Sequence, residues 1–380
     1  MKFWQNISTS FRSQWALVGL LALLLLAFTG CSGAARAESW PGLLVHEDIL
    51  YAANGAQVQA FESQTGKSLW AFPAEADAKN KFYSAPVIDT ERNLLLVAGF
   101  KDKTVYALRL GDSSDQTPGL AWAFSDAGGQ YVGSGTIAGD LFLIGNGDGQ
   151  LYAINLADGS LEWSFATRDR IWTTPLVVDE TVYVASSDHH LYALKVSDGV
   201  EQWQLETKGA LASSPVWAAD HIWLGDFGDQ LYQIDPQAGE VVWTFEDGEN
   251  WFWATPLVLE STIYFADVGG AVFAFDINSH ELLWRTDIKA VFRGQGIVDT
   301  AGGRLLLPAY ERGLIYALDA KTGDKLPWGE VMENPGRLPG SLVTDGERVY
   351  AAPIMITTRA QVFEISDGKE LWHYPVAEEK

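Results

Sequence analysis

From Trp40 onward the chain is a succession of short apolar stretches separated by polar turn clusters, with one grammar recurring about every 40 residues. A unit opens on a brief apolar segment, often behind Ser/Thr-x-Pro, as in Thr173-Thr174-Pro175-Leu176 and Ser213-Ser214-Pro215-Val216. After a turn comes a β-branched and aromatic run such as Thr181-Val182-Tyr183-Val184-Ala185. A Gly/Asp/Asn cluster then leads to Leu-Tyr-Ala-Leu or a variant (Leu151-Tyr152-Ala153-Ile154, Leu191-Tyr192-Ala193-Leu194), and a turn ending in Gly leads to a segment carrying Trp. These are four predicted strands per unit, A to D in chain order, bounded by residues that supply positive or preset φ. No segment keeps the apolar spacing of an amphipathic helix.

The Trp that closes each unit counts the units: Trp70, Trp122, Trp163, Trp203, Trp243, Trp284, Trp328 and Trp372. They lie 40 to 44 residues apart, except for a first interval of 52 widened by insertions at 73–82 and 111–119. Four-stranded units of this length in radial array are propeller blades. The expected fold is therefore all-β, an eight-bladed β-propeller over 40–375, with each Trp docked between blades. Because the first unit begins at strand A and the last ends at strand D, the circle can close without an exchanged strand.

The phrase Tyr316-Ala317-Leu318-Asp319-Ala320-Lys321-Thr322-Gly323 resembles the repeat of PQQ-like propellers, and the resemblance runs over about 40–375. That superfamily holds quinoprotein alcohol dehydrogenases and BamB-like envelope lipoproteins, and the likeness is nearest to the latter. Such dehydrogenases commonly use a vicinal Cys-Cys disulfide against a bound quinone. Here Cys31 is the sole cysteine, so that pair cannot form, and no quinone or other cofactor is expected. In the BamB-like family a Leu-Arg-Gly-x-Ser-x-Pro segment and an Asp-x-Asp before a later strand A contact the partner barrel. The corresponding stretches here read Lys208-Gly209-Ala210-Leu211-Ala212-Ser213-Ser214-Pro215 and Asn250-Trp251-Phe252-Trp253-Ala254-Thr255-Pro256. The resemblance thus implies fold and anchoring, and leaves the partner open.

Ahead of the repeats, Lys2 and Arg12 precede an apolar run over 15–28, too short for a membrane span and of the length of a signal-peptide core. Phe28-Thr29-Gly30-Cys31 follows and resembles a lipobox, so residues 1–30 read as a lipoprotein-type signal peptide, Cys31 as the lipidated residue, 31–39 as a linker and 376–380 as a tail. The competing site, Ala35-Arg36-Ala37, would release a soluble chain beginning at Glu38. A third outcome is an uncleaved N-terminal anchor, and each of the three routes exports the protein. The lipidated form faces the periplasm or cell exterior and holds the bilayer through its N-terminus.

The net charge of −23 repels nucleic acid and anionic headgroups, so nucleic acid is no expected partner and the folded body has no electrostatic route to a membrane. Cys-based metal sites are excluded, and the lone His pair, His189-His190, sits in a B–C turn without a third ligand, so no metal is expected. No motif points to catalysis.

In a propeller, strand A lines the channel, and the D–A and B–C loops share the face around its mouth. The residues just before each strand A are Trp40, Tyr83, Gly133, Trp172, Ala212, Trp253, Arg293 and Leu338. Basic residues gather in the same loops: Lys79, Lys81, Arg168, Arg170, Lys208, Lys289 and Arg337. Aromatic rings beside cations at a concave mouth suit a protein or peptide. The expected binding set is Lys81, Tyr83, Arg168, Arg170, Trp172, Trp251, Trp253, Phe292 and Arg293, in a scaffold that binds an envelope protein. The alternative is a small or saccharide ligand in the channel. The bland reading is that the rings plug the channel and the cations pair with Asp77, Asp169, Glu206, Glu249 and Asp287.

Overall fold

The computed structural model describes residues 40–374 apart from 78, 312, 329–335 and 355–359. The signal peptide, Cys31, the linker 31–39 and the tail 376–380 lie outside the described residues. The described chain forms eight sheets, each of four consecutive antiparallel strands. The blades span 42–72, 87–124, 136–166, 176–206, 216–245, 257–287, 297–326 and 343–374.

Burial runs radially. Strand B of blade 4, Thr181–Ala185, and strand C, His190–Lys195, are almost wholly buried, whereas every second residue of strand D, Glu201–Glu206, is exposed. The middle strands of a blade are covered on both faces by the neighbouring blades. That is why their sequences read as continuous apolar runs rather than as the alternation of a half-buried strand.

The repeat Trp holds blade to blade. It sits opposite the small central residue of the Leu-Tyr-Ala-Leu strand, as Trp203 does opposite Ala193, and the register shifts by one residue just beyond. Such a bulge bends the outer strand and re-aims its side chains. The indole N–H then donates to a carbonyl in the C–D turn of the next blade: Trp122 to Leu156, Trp163 to Val196, Trp203 to Pro236, Trp284 to Ala320 and Trp328 to Ile365, at 2.8–3.1 Å. Trp372 closes the circle by donating to Ser63 of blade 1 at 3.0 Å, and no strand is exchanged at that seam.

The turn that receives the indole ends in a glycine whose absent side chain makes room for it. Gly239 has φ of 68°, and a Cβ there would lie 2.5 Å from Cδ2 of Trp203. Where Trp243 docks, the corresponding residue is His280, also left-handed (φ 61°), and its ring stacks on the indole at 4.9 Å and 7°. Burial lowers the His280 pKa and favours the neutral ring in that stack.

Candidate functional site: the channel mouth

Each D–A loop runs extended between two B–C turns, and backbone hydrogen bonds fix it on both sides. Between blades 3 and 4, Ile171 N–H donates to Asn146 and the Arg170 carbonyl accepts from Ser187. The next loop repeats this with Leu211 on Ser186 and Ala210 with Phe227, and the loop after it with Phe252 on Asp226 and Trp251 with Val268. An Asp in the B–C turn strengthens three of these clamps. Asp148 accepts from Gly128 N–H and Tyr152 Oη, Asp188 from Arg168 N–H and Tyr192 Oη, and Asp226 from Gly209 N–H and Tyr232 Oη, at 2.6–3.0 Å. Burial, and then the adjacent carboxylate, push the Tyr152 and Tyr192 hydroxyls up, so both stay protonated as donors.

Because the loops are extended, three successive residues play three parts. The first is exposed, as Gln130, Arg170 and Trp251 are, or half-buried, as Lys81, Ala210, Val291 and Arg337 are. The second plugs the gap between two blades: Phe82, Tyr131, Ile171, Leu211, Phe252, Phe292 and Leu338 are all buried. The third lines the channel: Trp40, Tyr83, Trp172, Ala212, Trp253 and Arg293 all do so, with Val132 and Gly133 both lining it in the second loop and Pro339 in the last. Two expectations need correction here. Phe292, at 1% exposure, belongs to the core between blades 6 and 7 rather than to a binding surface. Leu338 likewise occupies the buried position, and Pro339 takes its place in the channel.

Three indoles converge on the axis. Trp40 of blade 1 lies 6.4 Å from Trp172 of blade 4 and 6.4 Å from Trp253 of blade 6. Side chains from blades that do not adjoin can meet only at the centre of the ring. Around them the contacts continue outward. The Arg170 guanidinium lies 4.7 Å from the Trp172 ring, and its Nε–H donates to Asp169 at 3.3 Å. Arg293 lies 4.8 Å from the Trp253 ring and 4.2 Å from Tyr310, whose other neighbour is Arg337 at 5.2 Å. Phe227 packs 5.1 Å from Trp253 and stacks on Trp251 at 4.9 Å and 11°.

The remaining members of the expected set are more dispersed. Tyr83 is buried against Phe100, ring to ring at 5.1 Å, and Lys81 is half-buried with its carbonyl accepting from Phe100 N–H. Arg168 is exposed on the rim. Glu249 and Asp287 are engaged by Arg285 of an outer strand, not by the mouth cations. His190 is buried, its Nδ1 2.9 Å from the Asp188 carbonyl, and no cluster of metal-ligating side chains occurs among the described residues. Two rings of the mouth, Phe227 and Tyr310, were not singled out in the sequence. They occupy equivalent positions just past strand B, as does Phe100, and an aromatic recurring there was the available signal.

A family model described as outer membrane protein assembly factor BamB matches residues 113–248 and 229–380, most of the chain. The chain belongs to this family. Among solved structures, BamB from Moraxella catarrhalis aligns with a TM-score of 0.67 at 18% identity, covering 84% of this chain and 92% of that one. The computationally designed Ika8 protein aligns with a TM-score of 0.70 at 14% identity, covering 86% and 97%. At such identities both speak for the fold alone. No curated protein matches by sequence. In this BamB-family propeller the mouth is accordingly described by its own residues.

Proposed function

We propose that this protein is an exported scaffold, tethered to a membrane through lipidated Cys31, that binds a protein partner on its D–A/B–C face and carries out no catalysis. The family's description points to outer membrane protein assembly as the setting in which to seek the partner. The observation that carries the reading is the rim. In a chain of net charge −23, Arg168 and Arg170 stand exposed in the loop before blade 4, and in the loop before blade 6 Trp251 is 49% exposed yet held flat against Phe227. Folding alone gives no reason to leave a large ring at a loop end, where it adds apolar surface. A ring already fixed by stacking loses little rotamer freedom on binding, and Trp and Arg are the residues that dominate interface energetics.

The test is crosslinking and pull-down from native membranes, comparing the wild type with an Arg170→Ala/Trp251→Ala variant. Capture of a specific envelope protein should be lost in the variant while its melting temperature moves by only a few degrees. Unchanged capture together with a clearly lowered melting temperature would leave these residues a structural role only.

A further inference from the structure

The channel encloses a cavity of about 500 Å³, within the range that holds small ligands, roughly 300–1,000 Å³. Its lining departs from the rest of the molecule. Although the chain is strongly acidic, no Asp or Glu lines this cavity, and Arg293 is the one charged residue that does. Among the described residues the Arg293 guanidinium makes no ion pair, and its buried Nε has no hydrogen-bond partner. Trp253 and Tyr310 flank it. Those rings attract its charge and fix its position; Trp253 has no acceptor, and the Tyr310 hydroxyl accepts from Arg337 Nη1 at 3.1 Å instead. A half-buried guanidinium without a carboxylate is an incomplete arrangement, because hydrogen bonds to a charged group are strong and costly to leave unmade.

The walls define the rest of a ligand. The indoles of Trp40, Trp172 and Trp253 supply apolar faces. Ser214 and Ser341 each accept a backbone N–H from the neighbouring blade, from Thr174 at 2.9 Å and Gln295 at 3.1 Å. That leaves each hydroxyl its own O–H to donate. Donors and the one positive charge, without a single carboxylate, select for an anion, and the rings for an apolar body.

We propose that the channel binds an organic carboxylate carrying an aromatic or apolar body, the acid gripped by Arg293 and the body laid against the three indoles. The same chemistry is presented by a free small acid and by the C-terminus of a polypeptide ending in an apolar residue. The proposal does not rest on the rim reading, since neither Arg170 nor Trp251 lines this cavity, although both pack behind its indoles.

The probes are 3-phenylpropionate and its amide, and N-acetyl-Gly-Phe as the free acid and as the amide. They are titrated into the purified full chain and followed by calorimetry and indole fluorescence. The acids should bind at least about tenfold more tightly than the amides, the ratio set by a charge-assisted hydrogen-bond pair. Arg293→Gln should reduce the acids to the level of the amides, and Arg293→Lys should keep part of the preference. Tighter binding of the peptide acid identifies a chain terminus as the ligand, and tighter binding of phenylpropionate a small molecule. Acid and amide binding equally well to the wild type, or neither binding at millimolar concentration, overturns the proposal. So does an Arg293→Gln protein that is folded and binds the acids unchanged. Should Arg293→Gln fail to fold, the acid–amide contrast in the wild type and the Arg293→Lys variant still decide.

Discussion

The docking of Trp203 on blade 5 can be dissected by a double-mutant cycle with Gly239. Trp203→Ala removes a partly buried indole and its 2.9 Å bond to the Pro236 carbonyl. Truncation of a large aromatic packed in a core costs about 3–5 kcal/mol, and the exposed edge places this one near ~3. Gly239→Ala has two separate costs. Its φ of 68° lies in the left-handed region, where a Cβ costs about 1–2 kcal/mol. The new methyl would also meet Cδ2 of Trp203 at 2.5 Å, and overpacking of this kind costs about 1–3 kcal/mol. Only the second cost depends on the indole. In the Trp203→Ala background Gly239→Ala should therefore lose its steric part, leaving the double variant more stable than the sum of the singles by ~1–3 kcal/mol. Reversible urea denaturation of the four proteins measures this directly. Additivity within about 0.5 kcal/mol would mean that the glycine does not exist to admit the indole, and that the contact between blades is looser than described.

Two further outcomes follow from other parts of the chain. Asp235 accepts the backbone N–H groups of Ala238 and Gln237 in its turn, at 2.9 and 2.8 Å, and the bond from Ala238, followed by that from Gln237, holds its pKa below the ordinary value. A lowered folded-state pKa gives stability above the unfolded pKa, about 3.9, and loses it as pH falls through the folded value. Asp235→Ala should thus be less stable than wild type at neutral pH, with the gap closing below about pH 4 in denaturation curves recorded across pH. Cys31→Ser should abolish labelling with a lipid precursor and move the protein to the soluble fraction; a wild-type mature N-terminus at Glu38 would refute the lipoprotein reading.

The fold was legible because one bulky residue type marks every unit, and because turn residues punctuate the strands at matching places. The mouth was legible only in part. Where Ser/Thr-x-Pro stands before strand A, as at Thr174-Pro175 and Ser214-Pro215, the channel-lining residue was read correctly. Where the phrase is lost around Leu338-Pro339-Gly340, the register slipped by one. In an extended segment one residue of slip exchanges a channel position for a buried one, which is how Leu338 was misplaced. Phe292 was misread for a related reason. Proximity to the mouth in sequence says nothing about which way an extended residue points. The meeting of Trp40 with Trp172 and Trp253 was beyond sequence reasoning, since it depends on three blades that do not adjoin.

The bond from Trp372 to Ser63 is of the same make as the bonds at the other seams, and each blade is one unbroken piece of chain. No sheet is stitched from distant segments, so the seam where blade 8 meets blade 1 keeps the indole joint of the others without a loop running across it. The joint made by Trp122, Trp163, Trp203, Trp284, Trp328 and Trp372 is the same whatever the loops beside it carry. The differences between the loops are then free to drift apart. One propeller can gather its rings and guanidiniums on a few entries, as this one does at blades 4, 6 and 7, while the remaining entries keep the circle closed.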